Sequence, residues 1–372
     1  MELLLNSKKA VKVLGGIDSL YYFIKCDTQL YHTFFENISI DTDFLSDYEG
    51  IKFLTNTSKY DGVIGLKYQY SVDKVKIAAI TFKDPNKQQK VHNVYIQLYA
   101  ESIYSNGLKA SVDMVARLLL NLFGLKSSYD TMYPSRVDVN CFVGGFDFSK
   151  ITYECFSGSF HRTFTTENTH TIRRDNRIET LYLGSKSSKI SFKIYDKLKE
   201  LYDTRHKFSS SIKRSFLAEN GFNVDFANNE LWNAEFTCRR EFLVECQIFT
   251  LEILFNGFKM LYWNCFANLD FYGFNVRKIR HSRKNKHLNR LKNHPIWLLM
   301  VDNKSFNALS ADMSWGDASI KRVIPKAKGL SEKWAREKIL SILSNADEMG
   351  WDFSDILART SNLKSGYGVQ TP

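Results

Sequence analysis

The stretch KISFKIYDKLKE, residues 189–200, sets a tyrosine among lysines on the polar side of an alternating run. Ile190, Phe192 and Ile194 take one phase, and Ser191, Lys193 and Tyr195 the other, a period of two that predicts a half-buried strand. Two further runs repeat the pattern. In SRVDVNCFV, residues 135–143, Val137, Val139, Cys141 and Val143 oppose Arg136, Asp138 and Asn140. In LWNAEFTCRRE, residues 231–241, Trp232, Ala234, Phe236 and Cys238 oppose Asn233, Glu235, Thr237 and Arg239. If these strands pair in one sheet, their polar faces gather Asp138, Glu235, Tyr195, Lys193 and Arg239.

That set has a chemistry. A tyrosine hydroxyl can attack a DNA phosphodiester and conserve its energy in a phosphotyrosyl bond. The free phenol is a weak nucleophile with a pKa near 10, so it needs assistance. Two carboxylates can hold Mg²⁺ or Mn²⁺ against the phosphate. Lys193, Lys197, Arg136 and Arg239 can hold neighbouring phosphates. The plainer reading is that polar residues on an outer strand face, and a tyrosine at a strand end, are ordinary in antiparallel sheets.

The elements that would position these residues follow from periodicity. Residues 62–104 read as several strands, 108–124 as a helix stopped by Gly124, and 180–195 as a hairpin turning at 184–188. Residues 197–219 and 241–266 read as helices. Strands, helix, strand, hairpin, helix, strand, helix predict an α+β fold, a mainly antiparallel sheet backed by helices. At 276–292, VRKIRHSRKNKHLNRLK, the composition turns basic without an acid. We place a boundary near 275, with 276–372 as a smaller basic, helical region whose helices fall near 303–322 and 331–345.

The chain has 372 residues and a net charge of +11, which favours a polyanionic partner, nucleic acid before a membrane surface. Its six cysteines form no CxxC pair, which argues against a structural zinc site and suits a reducing cytoplasm. No apolar run is long enough to predict a membrane span or signal peptide.

TLYLGSKSSKISFKIYDKLKE, SRVDV and WNAEFTCRRE resemble the motifs of the rolling-circle replication initiation factor family, which includes plasmid initiators and conjugative-element nickases and, more distantly, filamentous-phage replication proteins. The ordered resemblance spans 60–266, strongest at 135–241. It implies a nicking and joining domain over 1–275 that cuts one DNA strand and primes replication from the freed 3′ hydroxyl. Tyr195 would be the nucleophile, assisted by Lys197, with Asp138 and Glu235 as metal ligands. Arg136, Lys193 and Arg239 would contact DNA. So would Arg277, Lys278, Arg280, Arg283, Lys284 and Lys286 of the basic run. Partners would be the origin duplex and the nicked single strand, with a host helicase and a second copy of the chain as further candidates. A relaxase that starts transfer of a mobile element, or a non-catalytic DNA-binding protein on the same fold, are the alternatives. The sequence departs from the family pattern around these residues. The second aspartate expected shortly after Asp138 is absent, where Asn140, Cys141 and Phe142 stand, and the arginine expected two residues before Glu235 is Asn233. The Ser-Gly expected after the upstream strand is missing from VYIQLYAESI. No His-apolar-His motif occurs, and His92, His161 and His170 are isolated. Tyr182 is the nearest rival nucleophile.

Overall fold

Ten strands form one antiparallel sheet in the computed structural model. The described residues are 11–26, 28–45, 50–56, 65–86, 94–158, 169–174, 177–185, 187–202, 207–226, 230–273 and 292–302. The strands are β1 (Lys12–Ile24), β2 (Ile51–Asn56), β3 (Gly65–Val72), β4 (Val75–Lys83), β5 (Val94–Leu98) and β6 (Met132–Gly144), then β8 (Thr169–Arg174), β9 (Arg177–Leu183), β10 (Ile190–Asp196) and β11 (Leu231–Arg239). Their order across the sheet is β2-β3-β4-β5-β1-β6-β11-β10-β9-β8. A small sheet pairs β7 (Phe156–Gly158) with β12 (Leu269–Phe271). The fold is α+β with a large antiparallel sheet, as the pattern of elements predicts.

The apolar phase of β6, β10 and β11 faces the main core. Val137, Val139, Cys141, Val143, Ile190, Phe192, Ile194, Ala234, Phe236 and Cys238 are all buried there. Five helices cover that face: α1 (Gln29–Ile40), α3 (Leu108–Phe123), α6 (Arg240–Glu245), α7 (Leu251–Phe266) and α8 (Pro295–Val301). Gly124 ends α3 at φ 66°, with its N–H on the Leu120 carbonyl, a left-handed stop that glycine adopts at little cost. All six cysteines are buried and none is in a disulfide.

Among the described residues, helices cover the opposite face at one end only. There α2 (Ala100–Asn106), α4 (Lys197–Leu201) and α5 (Lys207–Glu219) pack Tyr104, Leu198, Leu201, Phe216 and Leu217 onto Leu14, Phe142 and Leu231. The single helix expected over 197–219 is thus two. The Lys213 ammonium lies 2.5 Å from Glu200, whereas 13 residues along one helix would separate them by about 20 Å. The helix expected over 241–266 also divides, at Gln247 with φ 59°.

By packing, the chain divides into Met1–Arg322 and Val323–Pro372. Every described residue belongs to the first unit. Trp297 of α8 is fully buried against Phe156, Phe192 and Phe266, although the sequence reading assigns 295–301 to the C-terminal region. The basic run up to 291, and the helices expected near 303–322 and 331–345, lie outside the described residues. Among the described residues no helix is long and apolar enough to cross a membrane.

Candidate active site

The alternation that buries Phe192 and Phe236 turns Tyr195, Asn233, Glu235, Lys193, Asn140 and Asp138 to the other face. The register then brings them together. Lys193 sits opposite Glu235, Tyr195 opposite Asn233, and Glu235 opposite Asn140. Asp138 faces Thr237 two pairs further along, the next pair on this face.

The YDK sequence is a switch from strand to helix. Tyr195 comes just before Asp196, whose carboxylate accepts from the Lys199 N–H at 3.2 Å and so starts α4. The chain turns at once, and Lys197 comes back under Tyr195. Its ammonium donates to the Tyr195 hydroxyl at 3.3 Å and lies 5.4 Å from the ring centroid. Asn233 donates to the same hydroxyl at 2.9 Å, and accepts from Asn140 at 3.1 Å. Both partners of the phenolic oxygen among the described residues are donors, the arrangement that suits a phenolate. Burial nevertheless pushes the Tyr195 phenol well above its ordinary value, aided by the charges of Glu200, Asp18 and Glu235.

Both predicted metal carboxylates are buried and ion-paired. Arg136 donates to Asp138 in a fork, Nε at 2.8 Å and Nη2 at 2.6 Å. Lys193 pairs with Glu235 Oε1 at 2.9 Å. Burial raises the Glu235 pKa to about 7; Lys193 opposes that rise, and the nearby Asp18 and Asp138 add to it. Glu235 Oε2 and Asn140 Oδ1 are buried without a hydrogen-bond partner. Two unpartnered oxygens on directly opposed residues, beside a second carboxylate, form an oxygen donor set of the kind a hard divalent cation accepts. Among the described residues no three His, Cys, Asp or Glu side chains gather for a metal.

Behind Tyr195 lies a charge cluster that the sequence reading missed. Glu200 takes the fully buried Lys197 ammonium at 2.5 Å and that of Lys213 at 2.5 Å. Burial opposes its ionisation, but the two lysines overcome it and hold its carboxyl down to about 2. Asp18 accepts from Tyr104, and its pKa is lowered despite burial by Lys197 and Lys213. Asp18 is the extra residue where the β1–β6 register shifts between Ile17 and Ser19, so a bulge aims it at this cluster. Only the spacing of Glu200 from Tyr195 hinted at any of this.

Arg239 ends β11, opposite Arg136 and at a remove from Tyr195. The His170 ring lies 6.0 Å from that of Tyr182, tilted by 35°, and Tyr182 faces Lys193 on the same side of the sheet. His92, His161, Arg277, Lys278, Arg280, Arg283, Lys284 and Lys286 lie outside the described residues.

Residues 126–256 match a family model that describes the N-terminal part of a phage replication-associated protein. That span holds Asp138, Tyr195, Lys197 and Glu235. The chain resembles the rolling-circle replication initiators. A solved structure of the rolling circle replication initiator protein from Geobacillus stearothermophilus aligns at 12% identity over 84% of this chain and 100% of that one, with a TM-score of 0.40. Comparison with curated proteins returned no match.

Proposed function

We propose that this protein starts rolling-circle replication by nicking one DNA strand through Tyr195 and later rejoining it. The Tyr195 oxygen attacks the scissile phosphorus, and the bond to the 3′ oxygen breaks. The phenolic proton is lost, the 3′ oxygen takes up a proton, and the 5′ phosphate stays on Tyr195. Attack by a 3′ hydroxyl reverses the step and reseals the strand without ATP. The observation that carries this reading is the phenolic oxygen held by Asn233 and Lys197 on the same sheet face as Asp138 and Glu235.

Each residue has a part in the reading. Asn233 and Lys197 hold the nucleophilic oxygen and favour its anion. Asp138 and Glu235, with the free Oε2 of Glu235, would hold Mg²⁺ or Mn²⁺. When bound, the cation supplies charge neutralisation at the phosphate. Arg136 and Lys193 fix the two carboxylates and present positive charge to flanking phosphates, with Arg239 beyond them. A relaxase for mobile-element transfer would use the same chemistry. A non-catalytic DNA-binding protein is the second reading, supported by the ion pairs that already occupy both carboxylates.

The test is incubation with supercoiled origin plasmid and Mg²⁺ or Mn²⁺, followed by a search for a covalent protein–DNA adduct. Wild type should form the adduct, and Tyr195→Phe should not, while still folding and binding DNA. Asp138→Asn and Glu235→Gln should weaken metal-dependent cutting more than binding. Normal adduct formation by Tyr195→Phe would overturn the assignment in favour of Tyr182.

A further inference from the structure

The sheet face that carries Tyr195 continues beyond Asp138 into a set of aromatic rings, each with a cation over it. Two residues before Asp138 on β6 is Arg136, stacked at 4.8 Å over Tyr21, its partner on β1. Two residues past Tyr21 on β1 is Phe23. It is opposite both Tyr95 of β5 and Tyr133 of β6, so three rings form a row across three strands. Phe23 and Tyr133 stack at 5.4 Å and 18°. Lys83 lies 5.3 Å from the Tyr95 ring, Lys25 lies 5.7 Å from Tyr133, and Arg240 lies 5.9 Å from Phe23. All four rings are partly exposed, and Lys25 is exposed. Among the described residues, the helices on this side, α2, α4 and α5, pack at the other end, around Leu14, Phe142 and Leu231.

Arg136 is also held by Asp138, Arg240 by the Pro134 and Phe249 carbonyls, and Lys83 is buried, so the exposed Lys25 is the cation of this set placed to meet a phosphate. Partly exposed rings for bases on one continuous face, with that cation beside them, match what a single strand offers. A duplex keeps its base faces stacked on each other and so does not offer them to these rings. The row lies roughly 20 Å along β6 from Asn140, the reach of a few extended nucleotides.

We propose that Tyr95, Phe23 and Tyr133, with Tyr21, stack unpaired bases of the strand that flanks the scissile phosphate, so that single-stranded DNA runs along β6 from this row to Tyr195. The inference deepens the nicking reading and rests on it for the direction of the path, but its binding measurement needs no cleavage. Phe23→Leu and Tyr133→Leu keep apolar bulk in the sheet and remove the aromatic face. In the Tyr195→Phe protein, each should lower affinity for a single-stranded origin oligonucleotide by about tenfold or more, with duplex affinity unchanged. Lys25→Gln, at an exposed position, should flatten the salt dependence of single-strand binding by about 0.7 in log–log slope. Unchanged single-strand affinity in both leucine variants, or an equal loss on duplex, overturns the proposal. A wild-type protein that forms no adduct, yet binds single strands through these rings, overturns the nicking reading alone.

Discussion

Asn233 is the residue on which the chemistry proposed for Tyr195 turns. It stands where the family pattern has an arginine, and it faces Phe142, within the stretch that lacks the second aspartate. In their place runs an amide chain from Asn140 through Asn233 to the phenol. A hydrogen bond to a developing phenolate is worth about 1.5–3 kcal/mol. Asn233→Ala should therefore slow adduct formation by about tenfold or more, while single-strand affinity holds. Asn233→Asp sets a negative charge against the phenol. Burial already holds that phenol high, so the alkaline rise in nicking rate should move to still higher pH. A pH–rate profile identical to wild type would show that Asn233 only fills space.

Among the elements, α4 and α5 matter because they deliver Lys197 and Lys213 to one carboxylate. Removing the Glu200 charge leaves both lysines without it, and Lys197 is fully buried. Breaking a buried pair costs about 3–5 kcal/mol, and the partial exposure of Glu200 brings our expectation for Glu200→Gln to about 2 kcal/mol. The pH dependence follows from a depressed carboxyl. The stabilisation is complete above the ordinary value of 4.5 and is lost as pH falls through about 2. Urea unfolding should show a gap between wild type and variant at neutral pH that closes in strong acid. Helix α8 makes a separate claim, on the main core. Trp297 is fully buried and donates to the Phe266 and Leu269 carbonyls, at 3.2 and 2.5 Å. Trp297→Ala should cost about 3–5 kcal/mol, measured as a fall in Tm, if the first unit depends on a segment beyond the basic run.

At the scale of the whole molecule the dominant quantity is the net charge of +11. Eight lysines and arginines crowd into 276–292. If that run binds duplex phosphates, replacing Arg280, Arg283, Lys284 and Lys286 with Gln should flatten log affinity against log salt by roughly 3 to 4 units. Cutting of a short single-stranded substrate should persist, because the proposed chemistry lies upstream of residue 242. An unchanged duplex slope would make the run a solvated linker and move origin recognition elsewhere.

The strands that carry the proposed chemistry could be read from sequence because their alternation is local: a period of two states which side chains share a face. That was enough for β6, β10 and β11, for the apolar placement of Cys141 and Cys238, and for the shared polar face of Asp138, Glu235 and Tyr195. β1 could not be read in this way. Its Gly15 and Gly16 break the alternation and the bulge at Asp18 reverses its phase, so a strand at the centre of the sheet carries no clean period. Nor could the partners of Lys197. Glu200 lies three residues away, but Lys213 reaches it only because the chain breaks between α4 and α5, and Tyr104 meets Asp18 across 86 residues. Alternation determines which face a residue joins. Only strand order, register and helix docking decide which residues from distant parts of the chain share a hydrogen bond on that face, because those depend on contacts that no local window contains.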